Sequence, residues 1–379
     1  MLRITHLITN LGQGGAQGVL FELINALPYG SYKHTVVSLC EEGIYALQLR
    51  ERGVAVHTLE MPRGRLTVSG LSKLYRLMRA SQPDMVQTWM YHADLIGGVI
   101  ARAAGCRPVV WGVHHSNLAL SKNSFSTLVV ACACAVHSRW VPVAIACVSK
   151  RAVTVHRALG YAAKKFVVIP NGYRLTHFAP NIKARERLRR DWRVSPHETL
   201  LGLVGRWHPQ KDHANLLQAL ALVAQHFPGV RCALIGPGME WENAELTGLI
   251  RQQGVEARVL LAGPRNDIPE VMNALDLHVL SSAGEAFPNV VAEAMACGTP
   301  CVVTDVGDAA LIVGDTGWIA PPQNPGMLAQ AIQKALTVIA EQDREELSRR
   351  CRARIEENFS LERMVSAYDE LWRRVISDT

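Results

Sequence analysis

At 379 residues, 49% hydrophobic and 19% charged, the chain has material for two packed cores and is excluded from the disordered class. Its net charge of +7 is uneven: residues 1–170 hold 18 Lys+Arg and 7 Asp+Glu, a balance of +11, while residues 171–379 hold 22 and 26, a balance of −4. The basic half has no helix-turn-helix, zinc finger or aromatic RNA platform, which argues against nucleic acid as a partner.

In chain order, apolar runs alternate with amphipathic stretches, the pattern of parallel sheets covered by helices. In the first half, strands are predicted near 2–8, 34–39, 54–58, 84–88, 109–113 and 143–148, with helices including Ala16–Leu27, Leu71–Ser81 and Asp94–Ala104. Leu128–Val148 is the most apolar region, but His137, Ser138, Arg139 and Pro142 interrupt it, so a membrane-spanning helix is not expected. The turn residues Pro170-Asn171-Gly172 mark a change of domain. The second half gives strands near 166–169, 199–204, 230–235, 258–262, 276–280 and 300–303, with helices Ala214–His226, Val290–Cys297 and Met327–Ile339, then an amphipathic Leu361–Ile376. Three segments follow: 1–168, 169–357 and 358–379.

Two loops in the second half carry the chemistry. After the strand 199–204 come Gly205, Arg206 and Lys211-Asp212 before a helix; a guanidinium and an ammonium on one site suit a diphosphate, though as surface cations they would simply be solvated. About 75 residues on, Glu285 and Glu293 flank a strand-to-helix turn, with Phe287-Pro288 between them and the helix starting at Asn289 and Val290. Carboxylates accept several hydrogen bonds and free N–H groups at a helix start favour oxygen-rich ligands, which points to sugar or ribose hydroxyls. Ordinary solvated glutamates are the competing reading of that spacing.

In the first half, Gly12-Gln13-Gly14-Gly15 follows a strand and lets a backbone approach a ligand closely. A nicotinamide fingerprint is its rival, with Glu41-Glu42 after the second strand, but Gln17 stands where that pattern wants a glycine or alanine. Trp89, Tyr91 and His92 follow another strand and are candidates to line an acceptor cleft; packing alone would also account for Trp89 and Tyr91. His114 and His115 end a further strand. Arg63-Gly64-Arg65, Lys73, Arg76, Arg79, Lys122, Arg139, Lys150-Arg151, Arg157 and Lys164-Lys165 suit anionic headgroups or a pyrophosphate-linked acceptor, with a generally soluble basic surface as the competing reading. Nine cysteines without a CxxC pair, and no secretory signal, read as reduced thiols of a cytoplasmic protein.

Gly205-Arg206, Lys211-Asp212, Glu285, Phe287-Pro288 and Glu293-Ala294-Met295-Ala296-Cys297-Gly298-Thr299-Pro300 together resemble the retaining glycosyltransferases of family 4, tightly in the second half and loosely in the first. The resemblance implies the GT-B architecture, α/β with two Rossmann-like doubly wound parallel-sheet domains facing each other across a cleft, the first binding the acceptor, the second the nucleotide sugar, and the last helix crossing back to the first. It further implies catalytic roles for Arg206, Lys211, Glu285 and His115. Donor contacts are expected from Gly14, Gly15, Gly205, Phe287, Asn289, Val290 and Glu293, with Glu293 on the ribose. The donor is expected to be a UDP-sugar, with no cofactor and no essential divalent metal, since no Asp-x-Asp pair occurs. The acceptor is expected to be a glycan or polyprenyl-diphosphate-linked glycan of envelope polysaccharide assembly, at the inner face of the cytoplasmic membrane. A nucleotide-sugar epimerase of the same fold, a nicotinamide oxidoreductase and a noncatalytic sugar-binding relic remain alternatives.

Overall fold

The structure is a computed structural model that describes residues 1–12, 14–28, 30–62, 64–115 and 125–378. The basic residues Arg63 and Lys122 singled out above therefore lie outside the described residues. The chain divides into two compact units, Met1–Gly172 with Leu361–Thr379, and Tyr173–Ser360.

In the first unit the elements run β1 (Leu2–Ile8), α1 (Gly15–Ala26), β2 (Tyr32–Ser38), α2 (Ile44–Glu51), β3 (Ala55–Thr58), α3 (Val68–Ser81), β4 (Met85–Trp89), a π-helical turn Ala93–Gly97 leading into α4 (Gly98–Ala103), β5 (Val109–Val113), α5 (Phe125–His137), β6 (Ala144–Cys147), α6 (Lys150–Ala158) and β7 (Phe166–Val168). All seven strands are parallel, in the order β3-β2-β1-β4-β5-β6-β7. Strands β4 and β5 are buried at every residue, as a sheet covered on both faces requires. Side-chain caps set the helix starts: the Thr67 hydroxyl accepts from Gly70 N, and the Ser149 hydroxyl from Ala152 N.

The second unit follows with α7 (Ile182–Asp191), β8 (Thr199–Val204), α8 (His213–Ala224), β9 (Val230–Ile235), α9 (Ala244–Gln252), β10 (Val259–Leu261), α10 (Ile268–Ala274), β11 (Leu277–Leu280), α11 (Asn289–Ala296), β12 (Cys301–Thr304), α12 (Ala309–Val313), β13 (Trp318–Ala320), α13 (Pro325–Glu341) and α14 (Arg344–Phe359). Its six strands are again parallel, in the order β10-β9-β8-β11-β12-β13. The last helix, α15 (Leu361–Ser377), returns to the first unit, where Tyr368, Leu371 and Trp372 join the core formed by Ile4, Leu20 and Trp89. Trp372 Nε1 donates to Gln87 Oε1 at 3.1 Å.

Two strand assignments differ from the sequence reading. The strand near 166–169 belongs to the first sheet, pairing with β6, and the unit boundary falls after Gly172 rather than at 168. The strand β13 was not expected: it is three residues long, at the sheet edge, and Gly314, Gly317 and Pro321 around it read as loop. The helix expected over Asp94–Ala104 begins as a π-helical turn.

In each sheet the order of connection reverses between two neighbours, β1 and β4 in the first and β8 and β11 in the second. Loops leaving the carboxyl ends of such a pair diverge, and ligands of doubly wound sheets bind in the crevice between them. The four loops are the glycine loop after β1, Met90–Ala93 after β4, Gly205–Asp212 after β8 and Ser281–Pro288 after β11.

Candidate functional site

The two loops of the second unit are tied into one cluster. Lys211 Nζ donates to Glu285 Oε1 at 2.7 Å, and Ser282 Oγ donates to the same oxygen at 2.8 Å. Backbone stitching fixes the pair: Ala283 N donates to Gln210 O at 2.8 Å, Ser281 Oγ to Lys211 O at 2.8 Å, and Gln210 Nε2 to Gly284 O. Asp212 takes a left-handed conformation (φ 50°) and caps α8 by accepting from Asn215 N, which turns Lys211 back toward β11. Gly205 lies beneath the lysine stem; a Cβ there would sit 3.3 Å from Lys211 Cε.

Arg206 is exposed on the same loop. Burial lowers the pKa of the neighbouring His208, and the charges of Arg206 and Lys211 lower it further, so the loop carries a concentrated positive field. Phe287 is buried against the ring of Phe359, 5.6 Å between centroids, and Pro288 sets the start of α11. The Tyr173 hydroxyl donates to Asn289 Oδ1 at 2.7 Å, and Val290 is half-buried beside it. Glu293 keeps part of its surface exposed while its carboxyl is enclosed. That enclosure pushes its pKa up to about 7, against the opposing pull of Lys211. The cationic loop, Glu285 and the enclosed acid thus form one electrostatic cluster.

Ser282, Gln210 and Tyr173 were not among the residues expected. Ser282 had a signal, the small polar end of an apolar strand; Tyr173 and Gln210 had none. Gly307 was also missed. It has φ +57°, and a Cβ would meet Ala286 O at 2.4 Å and Glu285 O at 2.6 Å. Gly307→Ala is expected to displace the Glu285 loop and cost about 1–3 kcal/mol, read as a lowered Tm together with reduced turnover.

In the first unit, Gly14 and Gly15 are exposed at the start of α1. Asn10 Oδ1 accepts from Gly12 N at 3.0 Å and from Gln17 Nε2 at 3.1 Å, and Gln17 folds over Gly14, where a Cβ would lie 2.3 Å from its Oε1. The tandem histidines split. His114 is turned inward, stacked on Trp89 at 5.1 Å, with burial pushing its pKa to about 4; His115 is exposed, its ring 6.3 Å from that of Tyr91.

The acceptor candidates need correction. Trp89 is 0% exposed and Tyr91 5%, so both are core residues that present no lining to an acceptor. Trp89 Nε1 donates to His6 Nδ1 at 3.4 Å, and the Tyr91 hydroxyl pairs with His156 Nε2 at 2.7 Å. Since Ala152 O accepts from His156 Nδ1 at 2.7 Å, it is Tyr91 that donates. Alternation along β4 and the turn after it put these rings inside. His92 alone borders a cavity, about 530 Å³, at the carboxyl ends of β1, β2 and β4, with Met61, Leu66, Leu95, Ile96 and Val130 supplying apolar walls and Arg65 a cation.

Among the described residues no group of three or more His, Cys, Asp or Glu side chains could hold a metal ion, and no helix is long and apolar enough to cross a membrane.

Known proteins match both units. The family described as Glycosyltransferase Family 4 matches residues 13–177 and that described as Glycosyl transferases group 1 matches residues 198–338. The UDP-Gal:alpha-D-GlcNAc-diphosphoundecaprenol alpha-1,3-galactosyltransferase of Escherichia coli is 26% identical over 316 residues, covering 80% of this chain and 79% of its own. The N-acetyl-alpha-D-glucosaminyl L-malate synthase of Bacillus anthracis is 29% identical over 195 residues, 51% of this chain and 50% of its own, so the match spans about half of that relative. A crystal structure of HepE of Anabaena in complex with UDP superposes with a TM-score of 0.85 at 25% identity, covering 98% of this chain and 100% of that one. With two parallel doubly wound sheets, the loops of both switch points in place and matches along both units, the chain belongs to the family 4 glycosyltransferases of GT-B fold.

Proposed function

We propose that this glycosyltransferase moves a sugar from a UDP-sugar to a lipid-diphosphate-linked glycan, with retention at the anomeric carbon. The observation that carries the reading is the joined cluster Lys211, Glu285 and Ser282 at the switch point of the second sheet, with Arg206 and Glu293 beside it. UDP bound to HepE supports the donor, and the Escherichia coli relative's acceptor, a GlcNAc-diphosphoundecaprenol, supports the acceptor class.

Arg206 and Lys211 neutralise charge on the departing diphosphate as the sugar gains oxocarbenium character. In the free protein Glu285 balances Lys211; with donor present the lysine turns to phosphate oxygens, and Glu285, with N–H groups at Phe287, Asn289 and Val290, holds the sugar. Glu293 accepts from the ribose hydroxyls. Gly14 and Gly15 leave room for a close ligand at the start of α1, and His115 orients the sugar or its leaving oxygen. No step calls on a divalent metal. The apolar cavity beside His92 suits an acceptor with a hydrophobic portion, and Arg65 suits its phosphates.

The test is a panel of nucleotide sugars run with and without lipid-diphosphate acceptors, with the product's anomeric configuration read by NMR. Transfer only with acceptor, an unchanged anomer and insensitivity to chelator are expected. Interconversion of donor sugars without acceptor would instead identify an epimerase. Leu66→Asp in the cavity wall is expected to raise the acceptor KM about tenfold at unchanged donor KM; an unchanged acceptor KM removes the cavity from the acceptor's path.

A further inference from the structure

Besides the cavity at His92, the first unit holds one of about 740 Å³ between the end of α1 (Ile24, Asn25), the start of β2 (Lys33, His34) and the turn from α2 into β3 (Arg52, Val54). Parallel strands bring their amino ends to one edge of the sheet, so this cavity lies at the edge opposite the glycine loop and Met90–Ala93. Doubly wound folds ordinarily bind their ligands at the carboxyl edge, and the switch point there is already accounted for. The volume is that of a small-molecule site, roughly 300–1,000 Å³.

The groups converging on it define a chemistry. Lys33 and Arg52 are exposed, the Arg52 guanidinium lying 5.8 Å over the ring of Phe21, and none of the described residues bordering the cavity is an acid. The nearby Asp369 is already met by the Tyr32 hydroxyl and by Arg373 Nε. Hydrogen bonding sets the tautomer of His34: Trp89 Nε1 donates to His6 Nδ1, so the His6 proton sits on Nε2 and is donated to His34 Nδ1 at 3.0 Å. His34 therefore carries its own proton on Nε2, and burial, which pulls its pKa down to about 4, keeps it a neutral N–H donor rather than a third cation.

Asn25 adds an acceptor with nothing to accept. Its Oδ1 is buried and has no hydrogen-bond partner among the described residues. A buried oxygen in that state carries a standing penalty that an entering hydroxyl relieves, and the broad terminal torsion of asparagine lets a small turn aim it at one. Two cations and an N–H donor suit phosphate oxygens, the amide oxygen suits a hydroxyl, and Ile24 and Val54 suit the C–H face of a sugar.

We propose that this cavity is a second ligand site that takes a phosphorylated sugar or polyol, its phosphate on Lys33, Arg52 and His34 and a hydroxyl on Asn25. The site uses none of the residues assigned to donor or acceptor, and it stands or falls independently of the transfer reaction.

Titration calorimetry of the full chain with glycerol 3-phosphate, ribose 5-phosphate and glucose 6-phosphate tests it, with inorganic phosphate and the unphosphorylated sugars as further arms. At least one of the esters is expected to bind saturably at one site per chain, about tenfold or more tighter than inorganic phosphate, with the same affinity whether or not UDP is present. Lys33→Glu and Arg52→Glu, at exposed positions, are each expected to weaken that ester about tenfold or more at unchanged Tm. Asn25→Leu should keep or raise the Tm, since it removes the unpaired oxygen, and should level the ester with inorganic phosphate. Absence of saturable binding by all three esters overturns the proposal, as does binding no tighter than that of inorganic phosphate, which would mean charge attraction alone. Loss of the ester on adding UDP would place it in the donor crevice instead, and indifference to both charge reversals would place it elsewhere on the chain; either result also overturns the assignment.

Discussion

Lys211→Ala is expected to lower kcat by about 10²–10³-fold in a protein that still folds. The structure holds the lysine at three points: Gly205 lies beneath its stem, Ser281 bonds its carbonyl and Glu285 its ammonium. With its stem anchored, only the ammonium turns from Glu285 to the phosphates on donor binding, and no further reorganisation is needed when the diphosphate departs, which is why its loss falls on kcat rather than on donor affinity alone. The stability effect is small by comparison. The Lys211–Glu285 pair retains 21% and 14% side-chain exposure, and Glu285 keeps its Ser282 bond, so about 1 kcal/mol or less is expected after solvent screening. Lys211→Arg keeps the charge, but its planar fork does not fit the single Glu285 oxygen that the lysine and Ser282 share; partial activity is expected. Steady-state kinetics with a melting curve for each variant decide the matter. Near-normal turnover in Lys211→Ala, or a Tm that collapses with it, would refute the role.

What the sequence shows of this site follows from where the chemistry sits. Arg206, Lys211 and Glu285 lie on short loops next to strongly patterned strands and Glu293 on the helix α11 that follows, so their register relative to β8, β11 and α11 can be read from apolar periodicity and turn residues. Contacts between distant segments cannot: Tyr173 reaches Asn289 across 116 positions, and Gly307 supports Glu285 from beyond the following strand. Trp89 and Tyr91 mislead for another reason. Aromatic residues at a strand end read as site lining, but the carboxyl edge near β4 is roofed by His114, His156 and the returning α15, and a ring that pairs its polar atom internally is a satisfied core residue. The edge strand β13 escapes because three residues between glycines and a proline carry too little pattern.

Glu293 is expected to couple nucleotide binding to a proton. Enclosure raises its carboxyl from the ordinary 4.5 to about 7, with Lys211 only partly compensating. An acid whose pKa is higher in the fold than in the unfolded chain holds its proton more tightly when native. Its stabilising contribution is therefore complete below about 4.5 and is lost as pH climbs to about 7. The loss is on the order of 3 kcal/mol, so melting curves of the free protein should fall across that window and those of Glu293→Gln should be flatter. Ribose hydroxyls reverse the balance. Two donors aimed at the carboxyl favour its ionised form, so binding UDP near neutral pH should expel a proton, which calorimetry in buffers of different ionisation heat reads directly. Charge-assisted bonds of about 1.5–3 kcal/mol each make the kcat/KM loss in Glu293→Ala at least about 10²-fold. Glu293→Gln should lose less, since an amide oxygen still accepts, and should expel no proton. Equal proton release from the wild type and Glu293→Gln would show that the ribose is gripped elsewhere.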